Sequence, residues 1–204
     1  MPYHKNVFIN CPFDADYHPF LKSLIFTVLY LDFVPRLSQT RSSARNRVEQ
    51  IMELIDQSMY GIHDLSRCKS LKDGDFPRFN MPYELGLDVG SHRYGGQRHQ
   101  RKRIMILETD QYHYQKVLSD ISGQDIFSHG DDPKVLIQKV RNWFSSNNTR
   151  RSLPPASLIW KAYLEFLGHL SERSKKEGYL ESDIEDISVD DFIKACSRWL
   201  KINR

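Results

Sequence analysis

Short apolar runs alternate with longer amphipathic stretches over about residues 6–144. The apolar runs have the length of strands and the stretches between them have the length of helices, which is the pattern of βα units around a parallel sheet. The predicted strands are residues 7–11, 33–37, 60–66, 103–108 and 124–128. We therefore expect an α/β fold, a flavodoxin-like doubly wound five-stranded parallel sheet of order 2-1-3-4-5.

The predicted helices follow from apolar spacing and from residues that favour helix ends. The first runs from near His18 to Leu31, and Pro35 places the strand that follows it at a sheet edge. Asn80 is predicted to cap a third helix, in which Pro82 is tolerated because the N–H groups of the first turn lack intrahelical partners. The second helix opens in residues 42–49, and one of its faces is predicted to be apolar through Val48, Ile51, Met52 and Ile55.

A polar segment at residues 145–151 divides the chain into a main domain, residues 1–148, and a helical C-terminal extension, residues 149–204. The apolar spacing of the extension predicts two helices. They either pack on the chain's own core or recruit a partner. Packing on the same chain is favoured, because an isolated pair of helices has little core of its own.

Composition and charge exclude several classes of protein. Hydrophobic residues make up 40% and charged residues 27%, as in soluble globular proteins. The longest apolar run, residues 24–31, is far shorter than the ~20 residues of a spanning helix, and no secretory signal is visible, so we expect a cytoplasmic protein without a membrane partner. The net charge of +3 gives no case for nucleic acid, and the basic stretch 92–103 is interpreted as a solvated loop in preference to a phosphate site.

The three cysteines match neither a disulfide framework nor a zinc site, and we expect reduced thiols and no metal. The predicted strand order itself places a ligand at the carboxyl ends of strands one and three. The helix that begins at Asn80 offers free N–H groups there, and Glu84 lies one turn further on. The residues that follow the two strand ends are Asn10, Cys11, Asp14, Asp64, Ser66 and Arg67.

These residue types suit a ribose and its phosphates. Carboxylates accept hydrogen bonds from vicinal hydroxyls, Arg67 can hold phosphate, and a carboxylate near the anomeric carbon stabilises an oxocarbenium-like transition state. A structural interpretation stays open for each residue: Glu84 opposing the helix dipole, Asn80 capping, Asp64 turning the chain with Ser66, and Cys11 filling a strand end rather than acting as a nucleophile.

Residues 60–67, residues 78–87 and residues 104–107 resemble the strand, the "N-x-x-YELG" helix and the following strand of bacterial TIR-like nucleotide-binding domains and nucleoside deoxyribosyltransferase-like proteins. Residues 7–14 similarly resemble the opening strand and loop of TIR domains. The match covers about residues 6–144 and includes Asn80 and the run that begins at Tyr83.

The resemblance implies that Glu84 is the catalytic residue for cleaving the N-glycosidic bond of NAD or a nucleoside, with Tyr83 in the substrate site. Asn10 and Cys11 stand where many TIR enzymes have serine and tyrosine, and the loop from Arg67 to Asn80 is longer than the compact form. Stacking on the nucleobase is then expected from Phe13 or Tyr17.

The leading hypothesis is a TIR-like N-glycosidase that cleaves NAD or a related nucleotide in bacterial anti-phage defence, either depleting NAD or making a cyclic ADP-ribose-type signal. NAD would be a substrate, and no cofactor or metal is expected. We expect a homo-oligomer and a partner protein of a defence system. The alternatives are a nucleotide-sensing module without turnover, an oligomerising adaptor, and a deoxyribosyltransferase-like enzyme.

Overall fold

The computed structural model describes residues 2–38, 46–66, 79–110, 118–121, 123–147 and 152–204. It contains one all-parallel sheet of five strands in the order β2-β1-β3-β4-β5. The strands are β1 (Asn6–Asn10), β2 (Val34–Leu37), β3 (Tyr60–Asp64), β4 (Arg103–Glu108) and β5 (Ile126–Ser128). The predicted doubly wound α/β fold of order 2-1-3-4-5 is confirmed.

Strands β1 and β3 are neighbours near the middle of the sheet. Every residue of both strands is buried, as expected for central strands of a parallel sheet whose two faces are covered. Asn10 is paired with His63, one residue before the end of β3 at Asp64. The carboxyl ends of the two strands therefore lie side by side, as the predicted strand order requires, and β2 with Pro35 lies at the edge.

Seven α-helices lie in the described part of the chain. They are α1 (His18–Tyr30), α2 (Arg47–Asp56), α3 (Asn80–Tyr94), α4 (Pro133–Asn147), α5 (Ala156–Lys176), α6 (Glu181–Glu185) and α7 (Val189–Asn203). The second helix begins at Arg47, within the stretch 42–49 where its start was predicted. Asn46 has extended backbone, and its side chain accepts a hydrogen bond from the Val48 amide at 2.9 Å, so it caps the helix.

The buried face of α2 differs by one position from the predicted one. Ile51 and Ile55 pack against Phe8 of β1, and Leu54 is partly buried beside them. Met52 is instead 51% exposed, so its assignment to the core face was wrong. Residues three and four positions apart lie on the same face of a helix. In α2 the buried face includes Leu54 and not Met52.

The predicted cap of α3 was also wrong by one residue. Asn80 is the first helical residue and is exposed, and the cap position belongs to Phe79, which makes no side-chain cap hydrogen bond. Pro82 lies in the first turn, where its missing N–H removes no hydrogen bond. Asparagine and proline marked the helix start correctly, but helix ends are defined by sequence only to within one or two residues.

The described residues form two compact units that are interleaved along the chain. The first contains residues 1–12 and 33–131, and with them the sheet, α2 and α3. The second contains residues 13–32 and 132–204, and with them α1 and the helices from α4 onward. The predicted functional boundary after residue 148 is a different kind of division and stays a prediction.

Aromatic side chains form the centre of the second unit. Phe26 of α1 is fully buried and its ring centroid lies 5.5 Å from that of Phe166 and 5.3 Å from that of Tyr163, both on α5. Trp199 of α7 lies 6.1 Å from Phe26. The two predicted C-terminal helices thus exist and pack on α1 of their own chain, as expected, with the short α6 between them.

No helix in the described residues is long and apolar enough to cross a membrane. Cys11 and Cys196 are buried reduced thiols, which confirms the prediction for these two, and Cys68 lies outside the described residues.

Candidate functional site

Glu84 is a buried carboxyl group on α3, with 6% of its surface exposed. Burial raises its pKa from 4.5 to about 7, and the charge of Arg47 on α2 opposes this rise. A carboxyl group with such a pKa exchanges its proton near neutral pH, which is a property required of groups that act in acid-base or charge-stabilising chemistry.

The dipole of α3 does not explain Glu84. No acidic residue lies in the first turn of the helix, where an anion would be stabilised by the free N–H groups. A helix N-terminus also lowers the pKa of a carboxyl group, whereas the pKa of Glu84 is raised. The structural alternative considered for this residue therefore loses its physical basis.

A buried chain of polar side chains begins at Asn10, the last residue of β1. Its amide nitrogen Nδ2 lies 2.9 Å from the carbonyl oxygen of Met81, in the first turn of α3, and 3.0 Å from Nδ1 of His63. The other ring nitrogen of His63, Nε2, lies 3.0 Å from Oδ2 of Asp88 on α3. Lys102, just before β4, places Nζ 3.0 Å from Oδ1 of the same carboxylate. We call these four side chains the Asn10–Lys102 relay.

The two charged members of the relay compensate each other in the interior. Burial acts to raise the pKa of Asp88, but the hydrogen bond from His63 and the ammonium of Lys102 outweigh it and hold the pKa below its ordinary value. Burial lowers the pKa of Lys102 despite the neighbouring carboxylate. The ammonium also donates to the carbonyl oxygens of Ile55 at 2.7 Å and Ser58 at 2.5 Å. The ammonium thus has two main-chain acceptors in addition to its ion pair with Asp88.

A second buried group surrounds Asp64 at the end of β3. Its Oδ1 accepts hydrogen bonds from the amide of Ser66, at 2.9 Å, and from the Ser66 hydroxyl. Its Oδ2 lies 3.2 Å from Nε2 of His129, which follows β5. The first two bonds form the turn that was the structural alternative for Asp64. Since Asp64 is fully buried, its predicted contact with substrate stays a prediction.

The Ser66, His129 and Asp64 side chains do not have the geometry of a catalytic triad. The Ser66 hydroxyl and the Asp64 carboxylate both lie against the same ring nitrogen, Nε2 of His129, at 2.9 Å and 3.2 Å. In a triad the acid orients one ring nitrogen and the hydroxyl contacts the other. The group therefore holds the carboxyl ends of β3 and β5 together and does not activate Ser66.

The other predicted substrate residues fall into three sets. Tyr83, with 54% of its surface exposed, and the exposed Asn80 lie at the start of α3, and Cys11 is buried just after β1. Phe13 and Asp14 belong to the second compact unit, where Phe13 is exposed. Arg67 lies outside the described residues, as do residues 68–78 of the loop from Arg67 to Asn80.

A cavity of about 810 Å³ lies within the second unit, between α5, α6 and α7. Its wall includes Phe166, Leu170 and Trp199, together with Arg173 and Arg198. A cavity of this volume is large enough for a small molecule. The sequence pattern did not predict it, because it forms between helices whose spacing indicated only that they have apolar faces.

Comparison of the chain with models of protein families, with curated proteins and with solved structures found no match. The function proposed below therefore depends on the residues of this chain and on their geometry.

Sequence reasoning missed the polar residues that connect the site. Asp88 follows Glu84 by four residues and therefore lies on the same face of α3, a spacing that was readable in the sequence. His63 lies within β3, and this strand was recognised from its apolar residues, so His63 itself was not singled out. Lys102 and His99 are 2% and 6% exposed, so the solvated-loop interpretation of residues 92–103 was wrong for these two. No local signal distinguishes a buried, paired lysine from a surface one.

Proposed function

We propose that this chain is a TIR-like N-glycosidase that cleaves NAD or a related nucleotide, with Glu84 as the catalytic carboxylate. The observation that carries the proposal is the placement of Glu84, which is buried on the helix that follows β3 and has a pKa raised to about 7. In doubly wound sheets the helix after a central strand begins at the edge where ligands bind. The motif resemblance around Tyr83 and Glu84 supports the choice of an N-glycosidic bond.

The proposed step breaks the bond between C1′ of the ribose and the ring nitrogen of nicotinamide. The bonding electron pair moves to that nitrogen and neutralises the pyridinium, so the leaving group needs no proton. Positive charge develops on C1′ and the ring oxygen, and the ionised carboxylate of Glu84 stabilises it. A water molecule then adds to C1′ and loses one proton, and the products are ADP-ribose and nicotinamide.

The burial of Glu84 suits this role. A carboxylate that has lost much of its hydration interacts more strongly with a developing cation than one in bulk water. Its raised pKa keeps ionisation within the neutral range, so the active form is populated above pH ~7 and the protonated form below it. In this proposal Asn80 and Tyr83, which are exposed at the start of α3, contact the substrate, and Asp64 shapes the turn after β3.

The motif resemblance is also the basis for proposing a homo-oligomer that acts in bacterial anti-phage defence, in the cytoplasm and with a partner protein of the same system. NAD depletion and the production of a cyclic ADP-ribose-type signal are the two outcomes that this chemistry allows. They differ only in whether water or a group of the substrate itself adds to C1′.

Incubation of the purified chain with NAD, followed by mass analysis of the products, tests the proposal. We expect release of nicotinamide, and a loss of about 100-fold or more in Glu84→Gln, because a single charge-stabilising group contributes about that much. Glu172→Gln is the matched control, since Glu172 is exposed on α5 and its loss should leave the rate unchanged. Cleavage by Glu84→Gln at the wild-type rate would remove Glu84 from the mechanism.

The same assay separates the proposal from its alternatives. Base exchange in a mixture of deoxynucleosides, without nicotinamide release, would identify a deoxyribosyltransferase-like enzyme. A nucleotide that raises the melting temperature but yields no product over hours would identify a sensing module. Assembly that is unchanged in a chain truncated at residue 148 would remove the C-terminal helices from an adaptor mechanism.

A further inference from the structure

The direction of each hydrogen bond in the Asn10–Lys102 relay can be deduced from its partners. The carbonyl oxygen of Met81 can only accept, so the atom of Asn10 that lies 2.9 Å from it must be the amide nitrogen. The same nitrogen lies 3.0 Å from Nδ1 of His63, which must therefore accept the second amide proton. The ring proton of His63 is then on Nε2 and points to Asp88. The hydrogen bonds from Asn10 to His63 and from His63 to Asp88 are thus mutually consistent.

Lys102 supplies the positive charge that this arrangement needs. A buried carboxylate requires a compensating cation, and Lys102 lies 3.0 Å from Asp88 with both side chains fully buried. His63 is thus free of that role and can keep Nδ1 as an acceptor for Asn10. If His63 supplied the charge instead, both ring nitrogens would be donors and the contact with the Asn10 amide group would be lost.

The relay ends on the backbone of the helix turn that precedes Glu84. Met81 belongs to the first turn of α3, and its side chain packs with Leu65, Leu85 and Ile106 in a buried cluster. The bond from Asn10 to the Met81 carbonyl therefore connects the end of β1 directly to this turn. Phe79, at the cap position of α3, makes no side-chain cap hydrogen bond, so the bond from Asn10 adds a polar attachment to this turn.

We infer that Asn10 and His63 are positioning residues, which hold the first turn of α3 and thereby set the location of Glu84 relative to the carboxyl end of β1. This inference rests on the proposed function for the importance of Glu84, but the geometry it asserts is measurable without any activity. It assigns Asn10 a role different from the substrate contact expected from its position after strand one. A displacement of about 1 Å in a catalytic group can reduce a rate by about 100-fold.

If the relay only stabilised the fold, loss of any buried asparagine of β1 would have a similar effect. Asn6 provides the matched control for this alternative. Asn6 lies at the other end of β1, is equally buried, and its Nδ2 donates to the carbonyl oxygen of Gln57 at 2.8 Å. Asn6→Ala and Asn10→Ala thus each remove an asparagine that donates to a main-chain carbonyl from the same strand. Only Asn10 is connected to α3.

The experiment uses the full chain with 13C-labelled glutamate and measures two properties of each variant in its folded state. The first is the titration midpoint of the Glu84 carboxyl resonance, assigned with Glu84→Gln. The second is hydrogen exchange of the amides in the first turns of α3. For Asn10→Ala we expect a midpoint moved by at least about half a pH unit and exchange faster by about tenfold, whereas Asn6→Ala changes neither.

Equal effects of Asn10→Ala and Asn6→Ala, or no effect of Asn10→Ala, would overturn the inference. Should Asn10→Ala fail to fold, Asn10→Ser retains one donor and is expected to give a smaller change in the same direction. If the wild type cleaves NAD, Asn10→Ala should reduce kcat by about 10- to 100-fold with KM changed less than about threefold. An unchanged kcat in a variant whose Glu84 resonance has moved would show that Asn10 is not a positioning residue. If the wild type cleaves no NAD, the proposed function fails while the resonance and exchange data still decide the geometry.

Discussion

Replacement of Glu84 by glutamine is expected to stabilise the folded protein at alkaline pH while it removes activity. Glutamine has nearly the shape of glutamate but carries no charge. The folded pKa of about 7 lies above the ordinary value of 4.5, so between these values the folded state binds more protons than the unfolded state. The free energy of unfolding of the wild type therefore falls as pH rises from about 4.5 to 7, and this loss is complete above pH ~7.

The size of this loss follows from the separation of the two pKa values. At about 1.4 kcal/mol per pKa unit, ionisation of Glu84 in the folded state would cost about 3 kcal/mol. Solvent reaches part of the side chain, and screening reduces this to about 2 kcal/mol. With a urea dependence of about 2 kcal/mol per molar for a chain of this size, the midpoint of unfolding of Glu84→Gln should exceed that of the wild type by about 1 M at pH ~8.

Urea unfolding of both proteins at pH ~5 and pH ~8 measures this effect. Any difference in packing or hydrogen bonding between glutamate and glutamine contributes at both pH values, so the change between them isolates the charge. Glu172→Gln, on the exposed surface of α5, should show the same small difference at both. The reasoning is wrong if the advantage of Glu84→Gln at pH ~8 is no greater than at pH ~5.

Three further predictions concern the rate, the relay and the second unit. The kcat/KM for NAD cleavage should rise about tenfold per pH unit below pH ~7 and level off above it, because the ionised form of Glu84 acts; a flat profile from pH ~5 to 8 would contradict this. Gly61→Ala should destabilise by about 1–3 kcal/mol in urea unfolding, because a Cβ there would overlap the Asp88 carboxylate. A Cβ at Gly86 would meet no neighbour within 4 Å, so Gly86→Ala should stabilise the helix by up to about 1 kcal/mol. Equal effects of Gly61→Ala and Gly86→Ala would be inconsistent with the close packing of Gly61 against the relay. Phe26→Ala should destabilise by about 3–5 kcal/mol, since its ring is fully buried, and a change below about 1 kcal/mol would contradict the central place of that ring.

The sheet could be predicted because its central strands, β1 and β3, are buried along their whole length and β4 along most of its length. Such strands give apolar runs that need no partner to be recognised, and the order 2-1-3-4-5 follows from the alternation of strands with helices. Helix starts were less certain. Asn46 and Asn80 both stand near the start of a helix, yet only Asn46 caps one, because the difference lies in backbone angles that neighbouring structure determines.

The polar connections of the site could not be predicted, because their members are far apart in the sequence. Asn10 contacts His63 and Met81, and Ser66 contacts His129. Spacing rules apply to residues on one helix or one strand. The predicted strand order indicated the residues at the strand ends, and the motif resemblance singled out Glu84. A contact between a strand end and a helix backbone is defined only when the fold is complete.

Asp64, Asp88 and Glu84 are buried carboxyl groups, and the differences between their surroundings bear directly on function. Asp64 is bonded to Ser66 and lies against His129. Asp88 contacts His63 and Lys102, and its pKa is held below the ordinary value. Glu84 lies on the same helix as Asp88, but its pKa is raised. Two neighbouring acids whose surroundings move their pKa values in opposite directions have different roles.

The pKa values of Glu84 and Asp88 are shifted in opposite directions. Neutral substitutions at the two positions should therefore change the free energy of unfolding in opposite directions. Asp88→Asn should destabilise the protein by about 3–5 kcal/mol at pH ~7, since it leaves the buried ammonium of Lys102 without its counter-charge. The stability that Asp88 contributes is present above its ordinary pKa of 3.8 and is lost as pH falls below it, so the two proteins should converge in acid. Glu84→Gln should instead be more stable than the wild type at pH ~7 and above. If both substitutions destabilise equally in urea, Glu84 is a structural acid like Asp88, and the case for a catalytic carboxylate at this position fails.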